Sequence, residues 1–248
     1  MQNAIRDAIN RRYDLMHYLY TSFYYASITG APVMRPVWFD FSEEPQFYNV
    51  ETEFMFGSNI LVAPKVKMPT SPLESVHKQE VTFTLPVGAT WYNFYNKLAE
   101  TVRGEAITRT LPDLEQAVFV KGGSVVPILE HDECLAITEC FHGQYRLEVY
   151  LDQDQKASGT MFFDDGASFK YQSEEAYTII EYTFEQVDVI YLQATRLTTT
   201  EYTFPETQTV KSVEVYGWTT QPTEVMQGGI QCEFSFNQAE ASLLIAMP

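Results

Sequence analysis

Apolar positions recur with the period of a helix over roughly the first thirty residues, and with the period of strands over most of the rest. Ile5, Ile9, Tyr13, Met16, Tyr20 and Phe23 follow at steps of four, four, three, four and three, which sets them on one helical face. Leu15, Tyr18, Leu19, Tyr24 and Ala26 add a second apolar face. A helix greasy on two sides wants neighbours on both, and no later segment predicts a helix to lie beside it, so its packing partner is expected to be missing from this chain. The pattern predicts a single helix over Ala4 to Thr29, roughly 39 Å long at ~1.5 Å per residue. Asn3 offers a cap at its start. Gly30 suits a left-handed C′ residue and Pro32 forbids continuation, which together stop it.

Beyond Pro32 the punctuation is that of sheets. Val33 to Phe41 reads as extended, with Pro36 demoting that part to an edge or a bend. Phe54 to Pro64 reads as strand, Gly57-Ser58-Asn59 turn, strand. The proline-rich Val66 to Val76 reads as a loop. Val81, Phe83 and Leu85 alternate with threonines, a half-buried strand. Trp91 to Tyr95, Ala117 to Val120 and Ser124 to Leu129 complete a first β-unit, and the acidic Glu130 to Glu133 marks its boundary. Then come Arg146 to Asp152, Gly159 to Asp164, Phe169 to Tyr171, Tyr177 to Glu185, Val189 to Thr195, Thr209 to Tyr216, Ile230 to Phe236 and Ser242 to Ala246. Short strands at that spacing, with no helix among them, indicate an antiparallel sandwich. Asp164-Asp165-Gly166 is a hairpin-turn signal.

Composition narrows the function. A net charge of −17 argues against nucleic acid, because a phosphate-binding surface needs clustered Lys and Arg. No apolar run is long enough to span a membrane, and the charged residues among the first twelve lead to the expectation of no signal peptide. Cys134, Cys140 and Cys232 are too few, and odd in number, for a disulfide scaffold. If Cys134 to Cys140 were one extended strand, its ends would lie ~20 Å apart, beyond the roughly 7 Å limit for a bridge. All three are therefore expected to be buried thiols. His17, His77, His131 and His142 are dispersed without metal spacing and are expected at the surface or hydrogen-bonded. Asp152-x-Asp154 fails as a calcium loop because Lys156 and Phe163 fall where oxygen ligands are required. Asp164-Asp165 could hold calcium with backbone carbonyls, but turn formation is the simpler role. Phosphate-cradling glycine motifs and a nucleophile elbow are absent. No cofactor and no metal is predicted.

Four phrases carry a resemblance: GAPVMRPVWFDF (Gly30 to Phe41), FMFGSNILVAP (Phe54 to Pro64), AVFVKGGSVVPI (Ala117 to Ile128) and GTMFFDDGASFKY (Gly159 to Tyr171). In this order they resemble the C-terminal third of glycoside hydrolase family 31, most of all the branch that trims glucose from N-glycans in the endoplasmic reticulum. The leading segment Arg6 to Ala26 looks like the family's segment after the eighth barrel strand. The resemblance implies a mainly β chain: residues 1–31 the last helix of a (β/α)8 barrel whose remainder is absent, 32–129 a proximal β-sandwich, 130–248 a distal one, both antiparallel.

The same resemblance implies a retaining α-glucosidase, with two catalytic carboxylates ~5 Å apart. Both belong to barrel segments upstream of residue 1, so no catalytic residue is assigned and the chain alone is expected to be inactive. Trp38-x-Asp40-x-Ser42-Glu43 echoes the family's nucleophile phrase, but it follows the barrel helix and opens the proximal sandwich. Asp40 is therefore read as a structural carboxylate. The implied partners are the upstream barrel, an α-glucoside or N-glycan held by that barrel, and a lectin-bearing regulatory subunit. The implied compartment is the endoplasmic reticulum lumen; Ala246-Met247-Pro248 is not a KDEL-type address, so retention would depend on a partner. A different class of function stays open, a non-catalytic module binding carbohydrate or a subunit, for which Tyr92, Phe94, Tyr95, Tyr216 and Trp218 could supply stacking platforms, although aromatics at alternate strand positions are more often core.

Overall fold

The computed structural model describes residues 2–65, 78–112, 115–131, 136, 140–186, 190–198, 202–227 and 229–247. The Val66 to Val76 loop, His77, Cys134 and part of the Glu130 to Glu133 boundary lie outside the described residues. The chain forms two compact units: Met1–Asn10 with Pro32–Gly122, and Arg11–Ala31 with Gly123–Pro248.

The opening segment is helical, but as two pieces, α1 (Gln2–Asp14) and α2 (Met16–Thr29). Leu15 departs from helical geometry at φ −88 and ψ 11, although no Pro or Gly marks the joint. The amide of Leu15 still donates to Arg11 O at 3.2 Å, and that of Leu19 to Leu15 O at 2.8 Å, so the ladder continues across it. The stop falls as expected: Gly30 sits at φ 75 and donates to Ala26 O at 2.9 Å.

The first unit holds β1 (Met34–Pro36), β2 (Phe54–Phe56), β3 (Ile60–Ala63), β4 (Lys78–Thr84), β5 (Trp91–Asn93), β6 (Ala106–Pro112) and β7 (Ala117–Lys121). Five of them form an antiparallel sheet in the order β1-β2-β3-β7-β5, with Pro36 in an edge strand as proline requires. A ribbon of β4 and β6 stands apart from that ladder. Val81, Phe83 and Leu85 bury alternately and pack with Met55, Leu61, Trp91 and Phe119; the Phe83 and Phe119 rings lie 4.7 Å apart. Strand β6 was not predicted, because Arg109 interrupts its weak alternation of Ile107 and Leu111. Arg109 turns instead to the Glu100 carboxylate, at 2.6 and 2.5 Å.

The second unit holds β8 (Ser124–Leu129), β9 (Tyr145–Tyr150), β10 (Ala157–Phe163), the short helix α3 (Lys170–Ser173), β11 (Thr178–Gln186), β12 (Ile190–Arg196), β13 (Val210–Tyr216), β14 (Met226–Gln227), β15 (Ile230–Gln231), β16 (Phe234–Asn237) and β17 (Ser242–Ala246). Eight strands make one sheet in the order β12-β11-β10-β8-β9-β13-β17-β16. Met161, Phe163, Tyr182 and Phe184 from one side of this order share a core with Val213, Val215 and Leu243 from the other, so the sheet coils onto itself.

Several expectations need correction. Ser124–Leu129 pairs along its length with β9 and belongs to the second unit, so the chain passes between units at Gly122-Gly123 and not at residue 130. The large sheet is mixed: β8 pairs β10, and β9 pairs β13, in parallel. The excursion through β10, β11 and β12 is long enough to return the chain in the same direction. Gly159 stands where β10 approaches β8 so closely that an added Cβ would run into the Val125 carbonyl. Phe169 to Tyr171 is not a strand but leads into α3, because the Ser168 amide and hydroxyl are captured by Asp165.

Candidate functional site

Thr21 buries its side chain within the second unit, and around it Tyr13, His17, Tyr20 and Tyr24 step along the helical segment by four, three and four. Each makes a specific contact. The Thr21 Oγ1 accepts the Phe162 N–H at 3.0 Å, a strand amide at a register where β10 has no ladder partner on that side. The Tyr24 ring stacks on Phe162 at 4.1 Å and 14°. The Tyr20 hydroxyl donates to both Asp164 oxygens, at 2.8 and 3.0 Å, while its ring meets the edge of Phe141 at 4.9 Å. Farther back, Asp14 Oδ1 lies 3.0 Å from His131 Nε2, and Tyr13 sets its ring across the same imidazole.

Electrostatics fix this arrangement. Burial, reinforced by the hydrogen bond to Asp164, raises the Tyr20 hydroxyl well above its usual range, so it stays a donor. Burial also raises Asp164, against the pull of the Gly166 amide and of Tyr20. His17 is different: it is 1% exposed between Phe141 and Tyr145, and neither ring nitrogen has a hydrogen-bond partner among the described residues. Burial, with a smaller push from His142, lowers it to about 3, so it is neutral.

The sequence did not single out this dock. Apolar periodicity sets Tyr13 and Tyr20 on one stripe and Tyr24 on the other, whereas the docking stripe joins these rings to His17 and Thr21. The expectation that the helix finds no partner within the chain is corrected as well. Between Tyr13 and Tyr24 it packs on strands of the second unit, to which that stretch belongs, while Ile5, Ile9 and Phe23 are 57%, 47% and 55% exposed.

The individual candidates find plain roles. Arg35 donates to Asp40 through Nε at 2.7 Å and through a terminal nitrogen at 2.6 Å, and its guanidinium lies over the Phe39 ring. Asp40 is thus one half of an ion pair in the first unit. Asp152 Oδ1 accepts the amides of Asp154 and Lys156, closing a turn. Asp165 accepts the Ala167 and Ser168 amides and the Ser168 hydroxyl, and these hydrogen bonds hold it down at about 2. The Asp164-Asp165 pair therefore works as a turn and a helix anchor. Among the described residues no group of three or more His, Cys, Asp or Glu is placed to hold a metal, and no helix is long and apolar enough to cross a membrane.

The aromatic and cysteine readings are decided by burial and bonding. Tyr92, Tyr216 and Trp218 are buried, which removes them as sugar platforms. Cys140 is disulfide-bonded while Cys232 is a buried free thiol, so the reading of three thiols fails at Cys140. Of the histidines, His131 and His142 are hydrogen-bonded as expected, and His17 is not.

Comparison with known proteins places this geometry. Residues 30–126 match the glycosyl hydrolase family 31 C-terminal domain. A family 31 glucosidase of Schizosaccharomyces pombe is 34% identical over 68% of the chain and 16% of its own length. The lysosomal alpha-glucosidase of Rattus norvegicus is 28% identical over 98% of the chain and 26% of its own length. The chain thus spans about a quarter or less of these relatives. Among solved structures, a dextranase of Flavobacterium johnsoniae superposes with TM-score 0.81 at 22% identity, over 99% of the chain and 31% of its own. A glucosidase II alpha subunit superposes with TM-score 0.78 at 20% identity, over 98% and 27%. The last two likenesses concern the fold.

Proposed function

Since the chain carries the glycosyl hydrolase family 31 C-terminal domain, we propose that it is the C-terminal portion of a retaining α-glucosidase, supporting a catalytic barrel that cuts the O-glycosyl bond. The observation that carries this reading is the helical segment with two apolar sides and one occupant. Its inner face is covered by the second unit, and Ile5, Ile9 and Phe23 stand exposed on α1 and α2. Burying each such side chain is worth ~1.5–3 kcal/mol, so an upstream barrel that covers them gains a substantial share of its adhesion here. The first and second β-units then serve as the proximal and distal sandwiches.

The finer assignment is the trimming of glucose from N-glycans in the endoplasmic reticulum lumen. Its support is the resemblance together with the disulfide at Cys140, a bond that persists in oxidising compartments. A lectin-bearing regulatory subunit is the matching partner; one fold neighbour is a complex of the glucosidase II catalytic subunit with the binding domain of its regulatory subunit. The test is an α-glucoside hydrolysis assay on the 248-residue chain, alone and joined to an upstream barrel of the family. The chain alone should release no glucose and the joined protein should. Turnover by the chain alone, abolished by Asp40→Asn, would overturn the proposal.

A further inference from the structure

The two layers of the first unit are joined by a carboxyl group. Glu53 immediately precedes β2 of the five-stranded sheet and is 5% exposed. Its oxygens both face the N–H of Thr84, the last residue of β4 in the separate ribbon, at 3.2 and 3.2 Å. Among the described residues one donor is shared between the two oxygens, which leaves a buried carboxylate short of the hydrogen bonds its charge needs, whereas a neutral carboxyl loses far less by burial.

Charged groups on the neighbouring segments are turned elsewhere. Glu44 receives the amides of Val87 and Gly88, Arg103 donates to the Ala89 carbonyl, and Arg109 is paired with Glu100. Glu51 and Glu80 are exposed. None of these enters the electrostatics of Glu53, which burial dominates and the Thr84 amide opposes.

We propose that Glu53 is a proton-operated clasp between the two β layers of the first unit, closed while its carboxyl is neutral and loosened when it ionises. Burial pushes this group up from 4.5 to about 7, so the change falls in the range that separates neutral from acidic lumenal compartments. The folded-state value is raised, so the stabilisation is fully present below 4.5 and is lost as pH rises through 7. The clasp therefore firms the unit on the acid side.

The experiment is hydrogen exchange at the Thr84 amide in the 248-residue chain, corrected for intrinsic rates, from pH 5 to 8. Protection should fall by about two orders of magnitude across that range. In Glu53→Gln, which keeps an oxygen acceptor and cannot ionise, the profile should be flat. Carbon-13 observation of the Glu53 carboxyl in the unmodified chain provides a reading that needs no variant, and its midpoint should lie near 7. A midpoint near 4.5, or the same slope in Glu53→Gln, overturns the proposal. Neither readout depends on glucosidase activity, so the clasp can fail while the family role stands, and the reverse.

Discussion

Each β-unit catches a strand amide with a side-chain oxygen, Thr84 N–H on Glu53 in the first and Phe162 N–H on Thr21 in the second. The geometry is alike and the chemistry is not. A hydroxyl has no charge to lose, so the Thr21 tie holds at any pH in the working range. A buried carboxyl makes the Glu53 tie conditional. The second unit carries its proton sensitivity at another place, in His17, and with the opposite sign. His17 is lowered from 6.5 to about 3 by burial, so its stabilisation is present above 6.5 and is lost as pH falls toward 3. Acid thus strengthens one unit and weakens the other, through two groups that are both nearly out of contact with water.

The largest effect that could break this contrast is the acid limb of the second unit. The His17 shift corresponds to roughly 5 kcal/mol between the two ends of its range, half the stability of a typical domain. Exchange protection at the Phe162 amide should collapse below about pH 5, where protection at Thr84 is near its maximum. His17→Leu should remove that limb and be neutral or stabilising at pH 7, because it deletes two buried nitrogens that lack partners. An acid limb that survives in His17→Leu would place the sensitivity elsewhere.

Next in size is the cost of the two aromatic anchors. Phe162 is buried and stacked on Tyr24, and Phe83 is buried against Phe119. Truncation of either to Ala should cost ~3–5 kcal/mol by urea titration. Phe162→Ala should shift only the transition that reports Tyr24 and the helix dock, and Phe83→Ala only the one that reports the first unit. A shift of both transitions by either variant would show that the units melt as one.

Much of this was legible in the residues. Strict alternation located Val81, Phe83 and Leu85, and the glycine and proline at positions 30 and 32 located the end of the helix. The Asp164-Asp165-Gly166 turn was readable too. What escaped was decided by tertiary partners. Whether Gly122-Gly123 turns a chain back or hands it to another sheet depends on Tyr150, which accepts the Gly123 amide. Parallel pairing of β9 with β13 joins residues some sixty positions apart, and no local pattern encodes it. The dock was hidden because Tyr20 and Tyr24 fall on different apolar stripes and His17 and Thr21 on neither, whereas packing joins the four through ring contacts and one captured strand amide.

The smallest effect tests the comparison most directly. Thr21→Val keeps the shape and the methyl group but deletes the acceptor, leaving the Phe162 N–H buried without one. An orphaned buried donor costs about 1–3 kcal/mol. Because no ionisation is involved, that cost should be the same at pH 5 and pH 8, whereas the difference between Glu53 and Gln in the first unit should change across the same interval. Thr21→Ser restores the oxygen and should recover most of the loss, with only the missing methyl felt. A Thr21→Val penalty that varies with pH would tie this hydroxyl to His17, one helical turn away, and would dissolve the distinction between a conditional tie and a permanent one.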